Sequence, residues 1–242
     1  MASENELREQ LATCTRIFAM QGMIGVFGHV SAFQPETKRV FITPGMGSDK
    51  GSLGAENMLV TDLDGKPLEG KEGPPVEWPI HTALHNARAD ALAVAHLHTP
   101  YATLFAIAKR EFKPVTLQGS IFSDGVPLYP EAQLITTPAR GASLLKAIGD
   151  KRAVLLRGHG IVVAGKNLPE VLYTALVLED DSKKAMQAAS LGEVGTITQE
   201  ECRAFGAEIA LERRAQRAWN YFTSLEARWD HQPATGRSEL FP

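Results

Sequence analysis

The segment Ala95-His96-Leu97-His98-Thr99-Pro100 decides the reading of this chain. It continues the apolar run Ala91-Leu92-Ala93-Val94, which predicts a buried strand. Side chains alternate faces along a strand, so His96 and His98 point the same way. Two imidazoles on one face at i, i+2 form a ready-made metal chelate. Taken alone, the pair is equally compatible with hydrogen-bonded core histidines, because a two-residue motif is unspecific. Two further stretches bear on it. Downstream lies Leu156-Arg157-Gly158-His159-Gly160, and upstream lies Pro75-Val76-Glu77-Trp78-Pro79-Ile80-His81.

Working outward, Ala153–Leu156 and Ile161–Val163 read as short strands around Gly158-His159-Gly160, a tight hairpin with the histidine at its tip. Pro79 suits the first turn of a helix carrying Ile80, Leu84 and His85. Another helix is expected from Glu4 to Gln21, where Leu7, Leu11, Cys14 and Phe18 recur at helical spacing and Gly22 supplies the stop. Short strands follow at Val30–Phe33, Val40–Ile42 and Met58–Thr61, with a glycine-rich loop over 43–51 and a turn at Asp62-Leu63-Asp64-Gly65. A helix after Pro100 carries Leu104, Phe105 and Ile107. Residues 111–137 read as irregular and strand-like, and 141–148 as a short helix. Asn167 with Glu170, and Thr198 with Glu201, are capping signals. They open one helix running to about Leu191 and one last long helix reaching about Trp229. There is no linker, low-complexity segment or repeat. The expectation is one α/β domain over 1–242, short strands covered by helices.

Composition narrows the function classes. The chain has 242 residues, 44% hydrophobic and 22% charged, as in ordinary globular proteins. A net charge of -3 gives no footprint for nucleic acid or an anionic membrane. Cys14 and Cys202 have no zinc-type or redox spacing, and Cys14 is expected to be a buried free thiol. The acidic start lacks an apolar signal region, and no apolar run reaches membrane-spanning length. A cytoplasmic location is the resulting expectation.

Three neutral imidazoles with an open position are a common plan for a catalytic divalent metal. His96, His98 and His159 are therefore expected to bind one divalent cation, with zinc, manganese, iron and cobalt all suited to the donors. Glu77 is expected to act as general acid/base, or as a fourth ligand that substrate displaces. The competing reading is a carboxylate placed at the start of a helix by the macrodipole. His81, one turn on, suits either a supporting partner or a packed helix histidine, and His85 and His231 carry no functional expectation.

With these residues in place, the sequence resembles the class II aldolase/adducin-head family. The carriers are Gly28-His29-Val30-Ser31, Ile42-Thr43-Pro44-Gly45, Asp62-Leu63-Asp64-Gly65, Glu77-Trp78-Pro79-Ile80-His81, His96-Leu97-His98-Thr99-Pro100 and Gly158-His159-Gly160, over about residues 6–191. The resemblance implies a three-layer α/β/α fold around a mainly antiparallel sheet, and homotetramers with sites near subunit interfaces. It also implies His96, His98 and His159 as metal ligands and Glu77 as the acid/base residue.

The departures matter as much. Sugar-phosphate members of the family have Asn in a GNxS turn, where His29 stands here. They have Ser-Gly after Thr-Pro, where Gly45 and Met46 stand, and Ser-Ser before the glutamate, where Pro75 and Val76 stand. Each change removes donors that would hold a phosphate, and Pro75 has no N–H at all. The His29 turn and the Arg157–Gly160 segment resemble the decarboxylase branch, which handles hydroxylated aromatic or pyridine dicarboxylates. His29 then serves as a cation against a carboxylate or as a proton donor. Ser31, Thr43, Gly45, Trp78 and Arg157 are the expected substrate contacts, with Met46, Val76 and Trp78 as an apolar wall for a flat ring. The aromatic cluster Trp219, Tyr221 and Phe222 reads as a core stripe. The expected function is a metal-dependent carboxy-lyase acting on a hydroxylated aromatic or heteroaromatic carboxylate. The alternatives are an aldolase on a non-phosphorylated hydroxy acid or sugar acid, a non-catalytic scaffold, and an oxygen-using iron enzyme.

Overall fold

The computed structural model describes residues 3–45, 49–70 and 72–229. Eight strands form one sheet: β1 (His29–Gln34), β2 (Arg39–Ile42), β3 (Leu59–Thr61), β4 (Pro67–Glu69), β5 (Ala93–Leu97), β6 (Leu128–Tyr129), β7 (Ala153–Leu156) and β8 (Gly160–Gly165). Their order is β4-β3-β2-β1-β5-β8-β7-β6. Every neighbouring pair is antiparallel except β6 with β7. The helices are α1 (Glu4–Met20), α2 (Trp78–Ala87), α3 (Ala102–Ile107), α4 (Pro138–Ile148), α5 (Leu168–Ala189), α6 (Gln199–Glu208) and α7 (Leu211–Glu226).

Strand alternation builds two cores. Val30 and Ala32, Ala93, Ala95 and Leu97, Ala153 and Leu155, and Ile161 and Val163 face one side, with the buried residues of α1 and α5. Val94, Val154, Leu156, Val162 and Ala164 face the other side, where α2 and α4 bring Ile80, Leu84, Leu144 and Ile148. This is the expected α/β/α sandwich. The alternation puts His29, Ser31 and His96 on the α2 side, because Val30 and Ala32 flank Ser31, Ala95 and Leu97 flank His96, and His29 is two residues from Ser31 along β1. Register completes the placement. His29 lies opposite His96, and Ser31 opposite Val94.

The capping signals act as expected. The Asn167 side chain accepts from the Glu170 N–H at 2.9 Å, and Thr198 forms a complete capping box with Glu201. Cys14 is a buried free thiol, pushed well above the usual thiol range by burial.

Three elements differ from expectation. The last long helix is two, α6 and α7, parted where Ile209 turns extended (φ -133°, ψ 107°). No proline lies near this break, and Gly206, three residues earlier, stays inside α6. The break arises because α6 packs on the turn at Gln118–Phe122 while α7 lies across α5 and α1, and one straight rod cannot reach both. Strand β4 was not anticipated. Its three residues are all exposed, so no alternation betrays an edge strand of this length. Residues 111–137 hold a 3-10 turn at Gln118–Phe122 and only two strand residues. Trp219 and Phe222 pack against the α1/α5 core while Tyr221 stays exposed. His231 and Met46 lie outside the described residues. Among the described residues, no helix is long and apolar enough to cross a membrane.

Candidate metal centre

His96 is the penultimate residue of β5 and His98 is the first residue beyond it, its N–H donating to the Met23 carbonyl at 3.1 Å. His159 sits in the β7–β8 turn. Gly158 turns the chain there in the left-handed region (φ +64°), and Gly160 brings β8 against the Leu97 carbonyl. One nitrogen from each of the three rings lies within 4.8 Å of the others. Between His96 Nε2 and His98 Nε2 the distance is 3.1 Å. Imidazole nitrogens held about 2.0–2.1 Å from a tetrahedral zinc stand about 3.4 Å apart.

The hydrogen-bond chemistry also fits a cation. His96 Nδ1 donates to the Ile161 carbonyl at 3.0 Å, which leaves Nε2 without its hydrogen. An outward bond of this kind orients a metal-binding ring. Burial, with the His159 and His98 rings beside it, holds His96 well below the usual imidazole range. Burial, with His159 beside it, pushes His98 down to about 4. Both rings are therefore neutral near pH 7 and can offer lone pairs.

Glu77 is the N-cap residue of α2, yet its side chain makes no cap bond. Instead Oε1 accepts from the Ile135 N–H at 2.8 Å. Oε2 faces inward, 3.5 Å from His159 Nε2 and 3.7 Å from His96 Nε2. The carboxylate is 6% exposed. A macrodipole role alone would leave it on the helix end, so its direction belongs to the histidines. His29, Glu77 and His96 form a second cluster, again with one ligand atom each inside 4.8 Å.

The expected substrate contacts are placed less simply. Ser31 is fully buried, its hydroxyl 2.6 Å from His81 Nδ1 and 2.8 Å from His85 Nε2, so it is spent on histidines and not on a substrate. Thr43 Oγ1 accepts from the Val30 N–H at 3.1 Å, and the Gly45 N–H donates to Gly73 at 3.3 Å. Trp78 lays its ring over Gly65 in the β3–β4 turn. Arg157 is exposed, and its Nε donates to the Pro130 carbonyl. Val76 is exposed. An aromatic face that the motif reading missed is supplied by Phe27, 69% exposed and stacked on His98 with ring centroids 5.8 Å apart.

Two further groups were missed. His85 has a ring buried beside His81, and the i, i+4 spacing on one helix face was the available signal. Lys50 is 2% exposed, with its ammonium on the Pro44 carbonyl. Burial lowers its pKa.

This fold and this cluster define a known class. The model of the Class II Aldolase and Adducin N-terminal domain family matches residues 9–186, and the chain belongs to that family. A 3,4-dihydroxyphthalate decarboxylase of Arthrobacter keyseri is 31% identical over 198 residues, covering 76% of this chain and 79% of that protein. A 5-deoxy-D-ribulose 1-phosphate aldolase of Bacillus thuringiensis serovar kurstaki is 27% identical, covering 80% of this chain and 91% of its own length. An aldolase II superfamily protein from Pseudomonas syringae shares the fold with a TM-score of 0.82 at 24% identity, 94% of each chain being covered.

Proposed function

We propose that this chain is a divalent-metal-dependent carboxy-lyase acting on a hydroxylated aromatic or heteroaromatic carboxylate. The observation that carries the reading is His29, a buried imidazole grouped with Glu77 and His96 where sugar-phosphate members of the family have an amide. His96, His98 and His159 hold the cation in this reading. The cation would act as a Lewis acid, stabilising negative charge that develops when a bond to carbon breaks.

The chain's own groups do the rest. Glu77 is pinned through Oε1 by the Ile135 N–H, so Oε2 keeps a fixed position for accepting or donating a proton. Glu77, His29 and His96 are buried, which limits the access of bulk water to these three groups. Phe27 offers a flat apolar face beside His98, which suits an aromatic ring better than a polyol. The decarboxylase relative supports carbon dioxide release, and the sugar-phosphate aldolase relative supports the alternative, carbon–carbon cleavage of the aldolase type; a hydroxy acid or sugar acid is the alternative substrate that fits the lost phosphate donors.

The test offers the metal-loaded protein hydroxylated benzene and pyridine dicarboxylates, and separately hydroxy acids and sugar phosphates. Carbon dioxide from the first set is expected. Glu77→Gln should reduce that turnover by about 10²–10⁴-fold, the usual weight of a general acid/base group. Aldehyde release from the second set, with none from the first, would replace the reading with the aldolase one.

A further inference from the structure

A row of buried polar groups runs from β1 into α2, and only its first member, His29, also joins a cluster with Glu77 and His96. His29 Nδ1 lies 2.6 Å from His81 Nε2. His81 Nδ1 lies 2.6 Å from the Ser31 hydroxyl, and that hydroxyl lies 2.8 Å from His85 Nε2. His85 Nδ1 ends the row 2.6 Å from the Ala91 carbonyl. Three of these rings and one hydroxyl are at most 6% exposed. Water therefore does not set their hydrogen positions. The row itself must.

The carbonyl fixes the direction of every bond. A carbonyl oxygen only accepts, so His85 Nδ1 carries the hydrogen and His85 Nε2, in a neutral ring, is bare. Burial keeps that ring neutral, pushed down to about 4. The Ser31 hydroxyl must then donate to His85 Nε2, and its one hydrogen is used. Its oxygen accepts from His81 Nδ1, which leaves His81 Nε2 bare. That nitrogen can only accept, so His29 donates to it from Nδ1. The neutral His29 ring is left with a bare Nε2. Reversing any bond would set two lone pairs, or two hydrogens, against each other in a buried site.

We propose that Ser31, His81 and His85 are positioning residues, a one-way hydrogen-bond relay anchored on the Ala91 carbonyl that locks His29 as its Nδ1–H tautomer. With Nδ1 committed to His81, Nε2 is the nitrogen free to serve the cluster with Glu77 and His96. His29 thus accepts a hydrogen bond from substrate. In the neutral ring it is neither the cation nor the proton donor expected from the sequence. The group it recognises is a donor, such as a ring hydroxyl next to the carboxylate. This use of the lone pair rests on the function proposed above; the tautomer itself does not.

The experiment is a two-bond ¹H–¹⁵N correlation spectrum of the zinc-loaded, full-length protein labelled at histidine nitrogens. Each ring nitrogen reports there whether it is protonated. The wild-type His29 signal is expected to show protonated Nδ1 and bare Nε2. Ser31→Ala cuts the row and should average the two tautomers while zinc stoichiometry stays at the wild-type value. In the same variant kcat should fall about 10–100-fold with little change in KM, the scale of lost supporting hydrogen bonds. Ser31→Thr returns the hydroxyl and should restore the His29 signature. A wild-type ring protonated on Nε2 overturns the proposal without any variant having to fold, as does an unaltered His29 signature in Ser31→Ala. A protein that shows the expected tautomer yet releases no carbon dioxide refutes the carboxy-lyase reading and leaves the relay standing.

Discussion

Gly160→Ala should weaken metal binding although it removes no ligand. A β-carbon built at Gly160 would sit 2.2 Å from the Leu97 carbonyl oxygen and 3.2 Å from the Leu97 carbonyl carbon. Ordinary van der Waals contact begins at about 3.5 Å, so the two backbones must part by about 1 Å. Both sides of that gap carry histidines proposed above as ligands. Leu97 lies between His96 and His98, and Gly160 follows His159. Metal–ligand distances tolerate about ±0.2 Å, so the three rings cannot follow the shift and keep one cation. The expected loss of zinc affinity is about 10–100-fold, the scale seen when groups supporting a metal site are disturbed.

Stability moves the same way. Removing a glycine gives back about 0.4–1 kcal/mol through the unfolded chain, and overpacking against backbone costs about 1–3 kcal/mol. The clash wins. For a chain of this size, each kcal/mol lost lowers Tm by about 2–4 °C. Competition against a fluorescent zinc chelator gives the affinity, and thermal unfolding of the metal-free protein gives the stability. Gly206→Ala is the control, because a β-carbon there meets nothing within 4 Å and the position is an exposed turn of α6. It should stabilise the protein by up to about 1 kcal/mol of helix propensity and so raise Tm slightly. A Gly160→Ala protein with wild-type zinc affinity and wild-type metal-free Tm would refute the argument that this close approach holds the centre together.

Two other outcomes follow from the same geometry. His98→Ala, analysed for metal after dialysis, should retain well under one equivalent, since it leaves two imidazoles where three converge; full occupancy would remove His98 from the ligand set. The metal-free protein should lose stability in acid. His85, held at about 4 by burial, stays neutral in the folded state while the unfolded ring protonates from about 6.5 downward. The unfolded state binds the extra proton, so the loss starts below about pH 6.5, grows on the order of 3 kcal/mol by about pH 4, and then levels off. Urea midpoints measured at pH 7.5, 6 and 5 should fall in that order, and a constant midpoint would contradict the neutral, buried rings.

The sequence by itself determined the local and periodic features. Two histidines at i, i+2 after an apolar run, a histidine between two glycines, and capping signals at Asn167 and Thr198 each depend on neighbours a few residues away. The family could be named from such short motifs in order, and α/β/α layering followed from it. Edge strand β4 and the break at Ile209 were not legible, because an exposed three-residue strand has no pattern and the break is imposed by what α6 and α7 pack against. At the site, tertiary structure alone decided direction. The register of β1 on β5 set His29 opposite His96, and α2 brought His81 and His85 down onto Ser31. The Glu77 carboxylate turned from its own helix toward two rings because Ile135, 58 residues on, holds its other oxygen. A hydrogen bond has a donor and an acceptor, and which is which along that row depends on the distant Ala91 carbonyl, a group that every residue of the chain possesses and no sequence motif can single out.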